Sequence, residues 1–386
     1  MTHEKPDHEH IADSRGKGTG DLASTEPPAA GRRPLLAWLL PLLLLAMVGV
    51  GVWWFVLRDT TSKQVNRLVA EARAAFELFE YTRAEQLLLQ AQSMIPPGAK
   101  GSGMNVGVHH NLGILYRRQE RWDEARKALV QAAALCGPEA NEVRAEELFQ
   151  VAQIDLHTGK APAAAPVLEA AIKAHPTRND LHLSLIDLQL GYLRQPAVAD
   201  SCLQRFLRLC GKKPENFRDA AGIYFKRRFL NDSLLLARAA TQGSDTMVTA
   251  HVLVGKSLWR MGRSDEGLEY VAGPLARYPN AVPLWTVQAS LFIGAKRFDD
   301  ALESVDHAVS LSPNDYDANL VRMMVLYNAH RWQEALEQAD ACLRLTKNSN
   351  EIHFLQSMRA RIDRGREGKL DPHSFGQEGA PESEQP

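Results

Sequence analysis

Histidine and cysteine are the residues of this chain best suited to acid–base, nucleophilic or metal chemistry, and their spacing supports none of it. His109 and His110 are adjacent, so on a helix they point in different directions. Neither has a histidine or carboxylate partner at the i, i+4 spacing of a helical metal site such as H-E-x-x-H. The four cysteines include no C-x2-C pair. Cys202 and Cys210 would be about 12 Å apart along a helix, beyond the roughly 7 Å limit for a disulfide.

Catalytic sequence motifs are missing as well. The sequence contains no G-x-x-x-x-G-K-[ST] phosphate loop and no G-x-S-x-G nucleophile elbow. We therefore expect no catalytic residues, no cofactor and no metal, and a chain that is not an enzyme.

The charge balance argues against nucleic acid as a partner. Lysine and arginine number 45, aspartate and glutamate 46, and the formal net charge is −1. Binding to a phosphate backbone needs a clustered basic field. The two ends of the chain, residues 1–31 and 365–386, are polar and lack apolar periodicity, which predicts disordered tails.

A stretch of 23 residues without charge, residues 35–57, predicts a single transmembrane helix in contact with the lipid bilayer. As a helix it would be about 34 Å long, slightly more than a hydrocarbon core of about 30 Å. Trp38 lies near one end and Trp53 with Trp54 near the other, as is typical of membrane interfaces. A cleaved signal peptide is the alternative. It is disfavoured because the stretch is too long and no small-residue cleavage site follows it.

The orientation of this anchor is less clear, because basic residues flank both ends. Arg32 and Arg33 precede it, and Arg58 and Lys63 follow it. A short tail with two arginines at the membrane edge resists translocation, which favours a cytoplasmic N-terminus. The expected location is a bacterial inner membrane, crossed once, with the large C-terminal region in the periplasm. The opposite orientation stays open.

The region from 65 to 364 repeats itself with a period of 34 residues. The most complete copy has Trp285, Ala289, Phe292, Ala301, Ala308 and Pro313 at its fixed positions. This order resembles the pattern of the tetratricopeptide repeat, W-x2-L-G-x2-Y followed by A-x3-F and P. Six clear copies and two degenerate ones place repeats near 65–98, 106–139, 145–178, 180–213, 215–247, 248–281, 282–315 and 316–349.

The resemblance implies an all-α fold. We expect a right-handed α-solenoid of about eight helix pairs, closed by a capping helix at 351–362 and preceded by the transmembrane helix. Each repeat of this family is two antiparallel helices that cannot bury their apolar faces alone, so neighbouring repeats must stack. Small residues such as Ala301 are expected where helices cross closely. The linker at 93–107 contains two prolines and four glycines and is predicted to be a loop.

The resemblance also implies a protein or peptide partner. The concave face of this family is lined by one stripe of the first helix of each repeat, and it commonly holds a peptide. The predicted peptide-binding stripe comprises Trp259, Ile293, Tyr327, Val252, Lys256, Leu320 and Met324 in the later repeats, with the polar Asn111 and Arg117 in the second. Aromatic residues of the stripe could anchor a partner segment. They could equally pack between adjacent repeats, and both interpretations stay open.

The expected function is that of a membrane-anchored adaptor or scaffold that binds partner proteins or peptides in a bacterial envelope or membrane assembly. Two alternatives stay open. One is a biogenesis chaperone that holds unfolded or apo clients, as repeat proteins of cytochrome maturation do. The other is a component of envelope polysaccharide synthesis or export. The sequence does not determine the oligomeric state.

Overall fold

A computed structural model describes residues 36–96, 103–244 and 247–368 of the chain. Within these ranges the structure is helical with short connections and has no strand, so the all-α prediction is confirmed for them. The predicted tail 1–31 and residues 369–386 of the predicted tail 365–386 lie outside the described residues, whereas residues 365 and 366, predicted to be disordered, belong to the last helix. Residues 103–107 of the linker that was predicted to be a loop also belong to a helix. The described helices are α1 (Leu36–Glu77), α2 (Tyr81–Met94), α3 (Gly103–Arg118), α4 (Trp122–Leu135), α5 (Asn141–His157), α6 (Ala161–Ala174), α7 (Asn179–Gly191), α8 (Pro196–Leu209), α9 (Pro214–Lys226), α10 (Leu230–Gly243), α11 (Val248–Arg260), α12 (Ser264–Arg277), α13 (Val282–Gly294), α14 (Phe298–Leu311), α15 (Tyr316–Asn328), α16 (Trp332–Leu345) and α17 (Ser349–Arg366).

Two compact units divide the chain, residues 1–60 and 61–386. The described part of the first unit is helical and carries exposed apolar side chains at Leu43, Leu45 and Val50. Among the described residues, no helix combines the length and the apolar content needed to cross a membrane. Residue 35 and many side chains of the predicted span lie outside the description, so the transmembrane helix stays a prediction.

The second unit is a solenoid of helical hairpins. Its first helices and second helices alternate along the chain, from α3 with α4 to α15 with α16, and α17 packs on α16. The last part of α1 shares an apolar core with α2 and α3, in which Ala72, Leu88 and Leu112 are buried. First helices of successive hairpins also contact one another, α7 with α9, α9 with α11, α11 with α13 and α13 with α15. These first helices therefore form one layer of the solenoid.

Each hairpin turn contains one residue with a left-handed backbone, and most of these residues are not glycine. The left-handed residues of the hairpin turns are Phe79, Glu120, Gly159, Arg194, Arg228, Gly262, Lys296 and His330. At the last turn the His330 N–H donates to the Tyr327 carbonyl and the Arg331 N–H donates to the Leu326 carbonyl, at 3.1 and 2.9 Å. These bonds satisfy the last carbonyls of the first helix. Because a side chain in this conformation costs about 1–2 kcal/mol, the packing of the two helices must impose the turn.

The arginine that opens several second helices forms an ion pair within that helix, and in two of them its guanidinium also contacts the helix before it. Arg121, Arg297 and Arg331 each pair with an acidic residue three positions later, at 3.1, 2.7 and 2.7 Å from Nε. The guanidinium of Arg121 lies 4.3 Å from the ring centroid of Tyr116, and that of Arg297 lies 4.5 Å from the ring centroid of Phe292. The repeated sequence R-[WF]-x-[DE]-A is therefore a local helix-start motif.

The tryptophan position of the repeat keeps one hydrogen bond even where the residue type changes. Trp285 Nε1 donates to the Pro279 carbonyl at 2.7 Å. Asn319 occupies the same position one repeat later, and its Nδ2 donates to the Pro313 carbonyl at 2.9 Å. Each bond ties a first helix to the loop before it, so asparagine preserves this connection although it departs from the sequence pattern.

Small residues lie where three helices meet. A Cβ added to Gly255 of α11 would lie 2.4 Å from Cγ1 of Val287 and 3.2 Å from Cγ1 of Val271. Both valines are buried and β-branched, so they have little freedom to move aside. The close approach of α11, α12 and α13 thus depends on the missing side chain.

Replacing Gly255 with alanine is expected to lower the free energy of unfolding by about 1–3 kcal/mol, the usual cost of overpacking. Gly273 of α12 is the matched control, because a Cβ there would meet nothing within 4 Å. Gly273→Ala is expected to raise the free energy of unfolding by up to about 1 kcal/mol, since alanine favours a helix interior. Denaturant unfolding followed by circular dichroism measures both. Equal effects of the two changes would contradict the packing argument.

Candidate functional site

One cavity, of about 280 Å³, lies in the layer of first helices between α9, α11, α13 and α15. We call it the groove. The side chains that give it its chemistry are Phe225, Lys256, Trp259, Arg260, Asp317, Leu320 and Met324. The groove therefore combines an apolar surface with a basic side on α11 and an acidic side on α15.

Two cations of α11 differ in how they are held. The guanidinium of Arg260 lies 4.4 Å from the ring centroid of Phe225, in a cation–π contact. Lys256 forms no hydrogen bond or ion pair with the described residues, although it is half-buried beside Trp259. Among the described residues both cations lack an ion pair, so either could meet an anionic ligand atom, and the Lys256 ammonium is the one that is not stacked on an aromatic ring.

The structure brings together four residues of the predicted stripe. Lys256, Trp259, Leu320 and Met324 all line the groove, and the last three also pack with one face against the buried cores of the hairpins. Val252 instead belongs to the buried core between α11 and α13. Ile293 is partly buried and packs against a core that contains Ala301 and Val325. These two predicted residues therefore contribute to packing between hairpins.

For Tyr327, of the two interpretations left open, the structure favours packing between helices over a place in the groove. Its side chain is 2% exposed and shares a core with Leu355 and Ile362 of α17. Its ring centroid lies 5.4 Å from that of Trp332. The physical reason is the capping helix, which covers the last hairpin. At the same repeat position, Trp259 is half-buried and lines the groove, whereas Tyr327 is buried.

The polar stripe residues of the second hairpin are already hydrogen-bonded within the chain. Arg73 Nε donates to Asn111 Oδ1 at 3.0 Å, and Asn111 Nδ2 donates to the Gly107 carbonyl at 2.5 Å. Arg117 donates to the side chain of Gln150. Asn111 and Arg117 thus join neighbouring first helices.

A second cavity, of about 640 Å³, lies at the N-terminal ends of α3 and α5. We call it the N-terminal cavity. Its charged centre is a pair that the sequence did not predict, His110 of α3 and Glu147 of α5, with 2.7 Å between Nδ1 and Oε1. Glu147 is 2% exposed. The hydrogen bond to this carboxylate raises the pKa of His110 above its usual value, although burial acts in the opposite direction.

A signal for Glu147 was present in the sequence. Glu147 precedes Val151 by four residues and Ile154 by seven, which places all three on one face of α5. Both of these neighbours are buried. A carboxylate on an apolar helix face needs a partner, and this requirement could have identified Glu147 as a paired residue.

The His110–Glu147 pair should make stability depend on pH. Since the pKa of His110 is raised on folding, its stabilisation is fully present below the unfolded pKa of about 6.5 and is lost as pH rises through the folded pKa. Burial lowers the pKa of His109, His182 and His251, which gives the opposite trend. The measurement is therefore the difference in unfolding free energy between wild type and His110→Gln. We expect this difference to shrink as pH rises from about 5.5 to about 8.5, whereas a constant difference would contradict the pairing.

The described residues include no group of three or more histidine, cysteine or acidic side chains placed to hold a metal ion. All four cysteines are free, with Cys136, Cys202 and Cys342 buried and Cys210 half-buried. The groove and the N-terminal cavity are two candidate binding sites, and a further cavity of about 580 Å³ lies between α7, α9 and α11.

Family comparisons agree with the hairpin geometry. A family model described as tetratricopeptide repeat matches residues 106–137, and a second model with the same description matches residues 253–316. These two segments are tetratricopeptide repeats. The first match contains most of α3 and α4, and the second runs through α12, α13 and α14 beside the groove. Tetratricopeptide-repeat proteins generally serve as protein-interaction scaffolds.

Several solved structures are similar to this chain. A tetratricopeptide repeat protein from Parabacteroides merdae is 14% identical, with a TM-score of 0.47, over 67% of this chain and 100% of that chain. The pilF protein of Pseudomonas aeruginosa is 15% identical, with a TM-score of 0.37, over 56% and 99% of the two chains. MamA from Desulfovibrio magneticus is 14% identical, with a TM-score of 0.34, over 43% and 94%. Among curated protein sequences, none matches this chain. These similarities imply no particular function.

Proposed function

We propose that this protein is a membrane-anchored adaptor without catalytic activity, which binds an extended partner segment in the groove. The observation that supports it best is the position of Lys256 beside Trp259, an ammonium without a partner among the described residues next to a half-buried indole. A segment that fits has an apolar side chain followed closely by a carboxylate. The apolar side chain packs on Trp259 and Met324, and the carboxylate pairs with Lys256.

The groove proposal is tested with short capped peptides and the full-length chain in neutral detergent. The probe peptide carries phenylalanine next to aspartate, and its control carries asparagine in place of the aspartate. We expect the asparagine peptide to bind about tenfold more weakly, as for the loss of one charged hydrogen bond. Lys256→Gln should remove this discrimination between the two peptides, and Trp259→Ala should weaken both. Lys127→Gln, on the exposed surface of α4, is the matched control and should change neither. Wild-type binding by Lys256→Gln and Trp259→Ala would refute the groove as the binding site.

The same peptides distinguish the adaptor from a biogenesis chaperone. A chaperone for unfolded clients would bind apolar segments with similar affinity whether or not a carboxylate follows. A component of polysaccharide synthesis or export would instead be identified by co-purification with glycan machinery. The lysine in the groove favours the adaptor.

The proposed anchor is the uncharged stretch at 35–57. Apolar side chains such as Leu43, Leu45 and Val50 are exposed on the first unit. Leaving such a side chain in water costs about 1.5–3 kcal/mol relative to burial, and a lipid environment removes that cost. The proposed location is the bacterial inner membrane, with the N-terminus in the cytoplasm and the repeats in the periplasm.

Protease treatment of spheroplasts tests this location. Digestion of a C-terminal epitope tag from outside is expected if the repeats are periplasmic. Protection of the tag until the membrane is lysed would reverse the proposed orientation. Release of the full-length chain by alkaline carbonate would overturn the anchor itself.

A further inference from the structure

The cavity between α7, α9 and α11 shares two of its helices with the groove. We call it the α9 cavity, and its lining includes Ser184 of α7, Gly222 and Ile223 of α9, and Thr249 and Leu253 of α11. Its volume of about 580 Å³ falls within the roughly 300–1,000 Å³ typical of ligand pockets. The α9 cavity is therefore large enough to hold part of a peptide.

The groove and the α9 cavity lie along one stripe of the first helices. Helices α9, α11, α13 and α15 begin at residues 214, 248, 282 and 316, which are 34 residues apart. The same position of these helices is occupied by Gly222, Lys256, Ser290 and Met324. The glycine lines the α9 cavity, and the other three line the groove. On α11, Leu253 of the α9 cavity precedes Lys256 by three residues, so the two are neighbours on one helix face. A segment bound in the groove can therefore continue past Lys256 into the α9 cavity.

The charges that line the α9 cavity are balanced. The lining carries two carboxylates, Asp187 and Asp219, and two cations, Arg218 and Lys226. Both oxygens of Asp187 accept hydrogen bonds from Arg227, at 2.6 and 2.9 Å. Arg218 pairs with Asp219, with 2.6 Å between Nη2 and Oδ1. Lys226 is exposed to solvent. Unlike the groove, the α9 cavity therefore has no excess charge with which to select an acidic or a basic side chain.

Two hydroxyl groups of the α9 cavity are available to a ligand. The side chains of Ser184 and Thr249 form no hydrogen bond with the described residues. Ser184 is half-buried and Thr249 is exposed. A hydroxyl both donates and accepts, so each can bond to a carbonyl or to an N–H of a peptide main chain. An extended segment has one such donor and one such acceptor at each residue other than proline. The neutral polar groups of the α9 cavity therefore suit a main chain.

Gly222 leaves space for a main chain to approach α9. A Cβ added to Gly222 would meet nothing within 4 Å. Two other glycines of first helices differ, because a Cβ on Gly113 would lie 2.5 Å from the Leu129 side chain and one on Gly255 would lie 2.4 Å from that of Val287. Packing thus explains Gly113 and Gly255 but not Gly222, although glycine in a helix interior is destabilising relative to alanine. The missing side chain allows the backbone of a ligand to come close.

We infer that the partner segment held in the groove continues into the α9 cavity, where its main chain lies over Gly222 and hydrogen-bonds to Ser184 and Thr249. This part of the segment carries small, uncharged side chains. The first helices that border the α9 cavity pack in the order α7, α9 and α11. At about 8–10 Å between neighbouring helix axes, they span about 16–20 Å. An extended chain covers that distance with about five or six residues. The inference rests on the proposed function, because binding in the groove determines where the segment enters.

Calorimetric titration of the full-length chain in neutral detergent tests the extension. The short peptide is the capped phenylalanine–aspartate probe of the groove, and the long peptides add about five alanines to one end or to the other. A control extension of N-methylalanine removes the main-chain N–H groups. We expect alanines at one of the two ends to strengthen binding by about tenfold and N-methylalanines to give no gain. No gain at either end would overturn the inference. Tighter binding of an extension with glutamates or lysines would also overturn it, because the α9 cavity would then select charge.

Variants of the α9 cavity locate the extension. Gly222→Leu places a side chain in open space, so it should remove the gain from the alanines while the short peptide binds as before and the melting temperature holds or rises. Gly273→Leu on α12 is the matched control, because that glycine is also open, and it should leave both titrations unchanged. Ser184→Ala combined with Thr249→Val should reduce the gain to less than about threefold.

The short and long peptides separate this inference from the proposed function. If the long peptide kept its full gain in Gly222→Leu and in the double variant, the extension would lie elsewhere and the inference would be wrong. The groove would then still stand, provided that the short peptide responds to its variants as proposed. Failure of the short peptide to bind wild type would refute both.

Discussion

Replacing Arg126 with methionine is expected to lower the free energy of unfolding by about 3 kcal/mol. Asp155 is completely buried, and its two carboxylate oxygens accept hydrogen bonds from Nε and Nη2 of Arg126 at 2.6 and 3.1 Å. Without the guanidinium, the carboxylate would stay buried and uncompensated. Because Arg126 itself is partly exposed, water can reach the site, which keeps the expected loss at the lower end of the range. Denaturant unfolding of the two proteins measures the difference.

A matched ion pair supplies the control. Arg205 donates to both carboxylate oxygens of Glu169 at 2.8 Å, but both side chains are partly exposed. Arg205→Met is therefore expected to cost less than about 1 kcal/mol. The double change of Arg126→Met with Asp155→Leu should recover most of the loss, since it leaves no buried charge. If Arg126→Met cost no more than Arg205→Met, burial of the carboxylate would not be the cause.

Replacing Tyr327 with alanine is expected to lower the free energy of unfolding by about 3–5 kcal/mol, as for other large buried aromatic side chains. The ring fills the core between α15, α16 and the capping helix α17. Since each hairpin contacts only its neighbours, the loss should be local and should release the C-terminal helices first. Hydrogen exchange would show this as faster exchange in α16 and α17 than in α7 and α8. Uniform acceleration along the chain would contradict a local core.

Trp259→Ala is the comparison for Tyr327→Ala, because the two residues occupy the same repeat position. Because Trp259 is half-buried in the groove, Trp259→Ala is expected to lower the free energy of unfolding by less than about 2 kcal/mol. The main effect of this substitution should be weaker peptide binding. If both changes destabilise the chain equally, Trp259 is a core residue and the groove assignment fails.

Much of the helical organisation follows from local sequence. The 34-residue period predicts helix pairs, because the fixed small and aromatic positions recur wherever two helices must cross. The segment from 180 to 247 preserves the pattern only weakly, and the structure has α7 to α10 there. The arginine that opens several second helices recurs in the sequence, and both its ion pair and its aromatic contact involve residues at most five positions away. Such features depend on residues close together in the chain, so the sequence carries them directly.

Contacts between residues that are distant in the sequence determine which side chains form the two candidate sites. Trp259 and Tyr327 are equivalent in the sequence, and only the packing of α17 makes one a groove residue and the other a core residue. His110 and Glu147 are separated by 37 positions, and they meet only because α3 and α5 lie side by side. Local sequence therefore predicts the array of helical hairpins between residues 65 and 364. It does not predict which polar and aromatic side chains are exposed, paired or covered, because burial depends on neighbours that are distant in the chain.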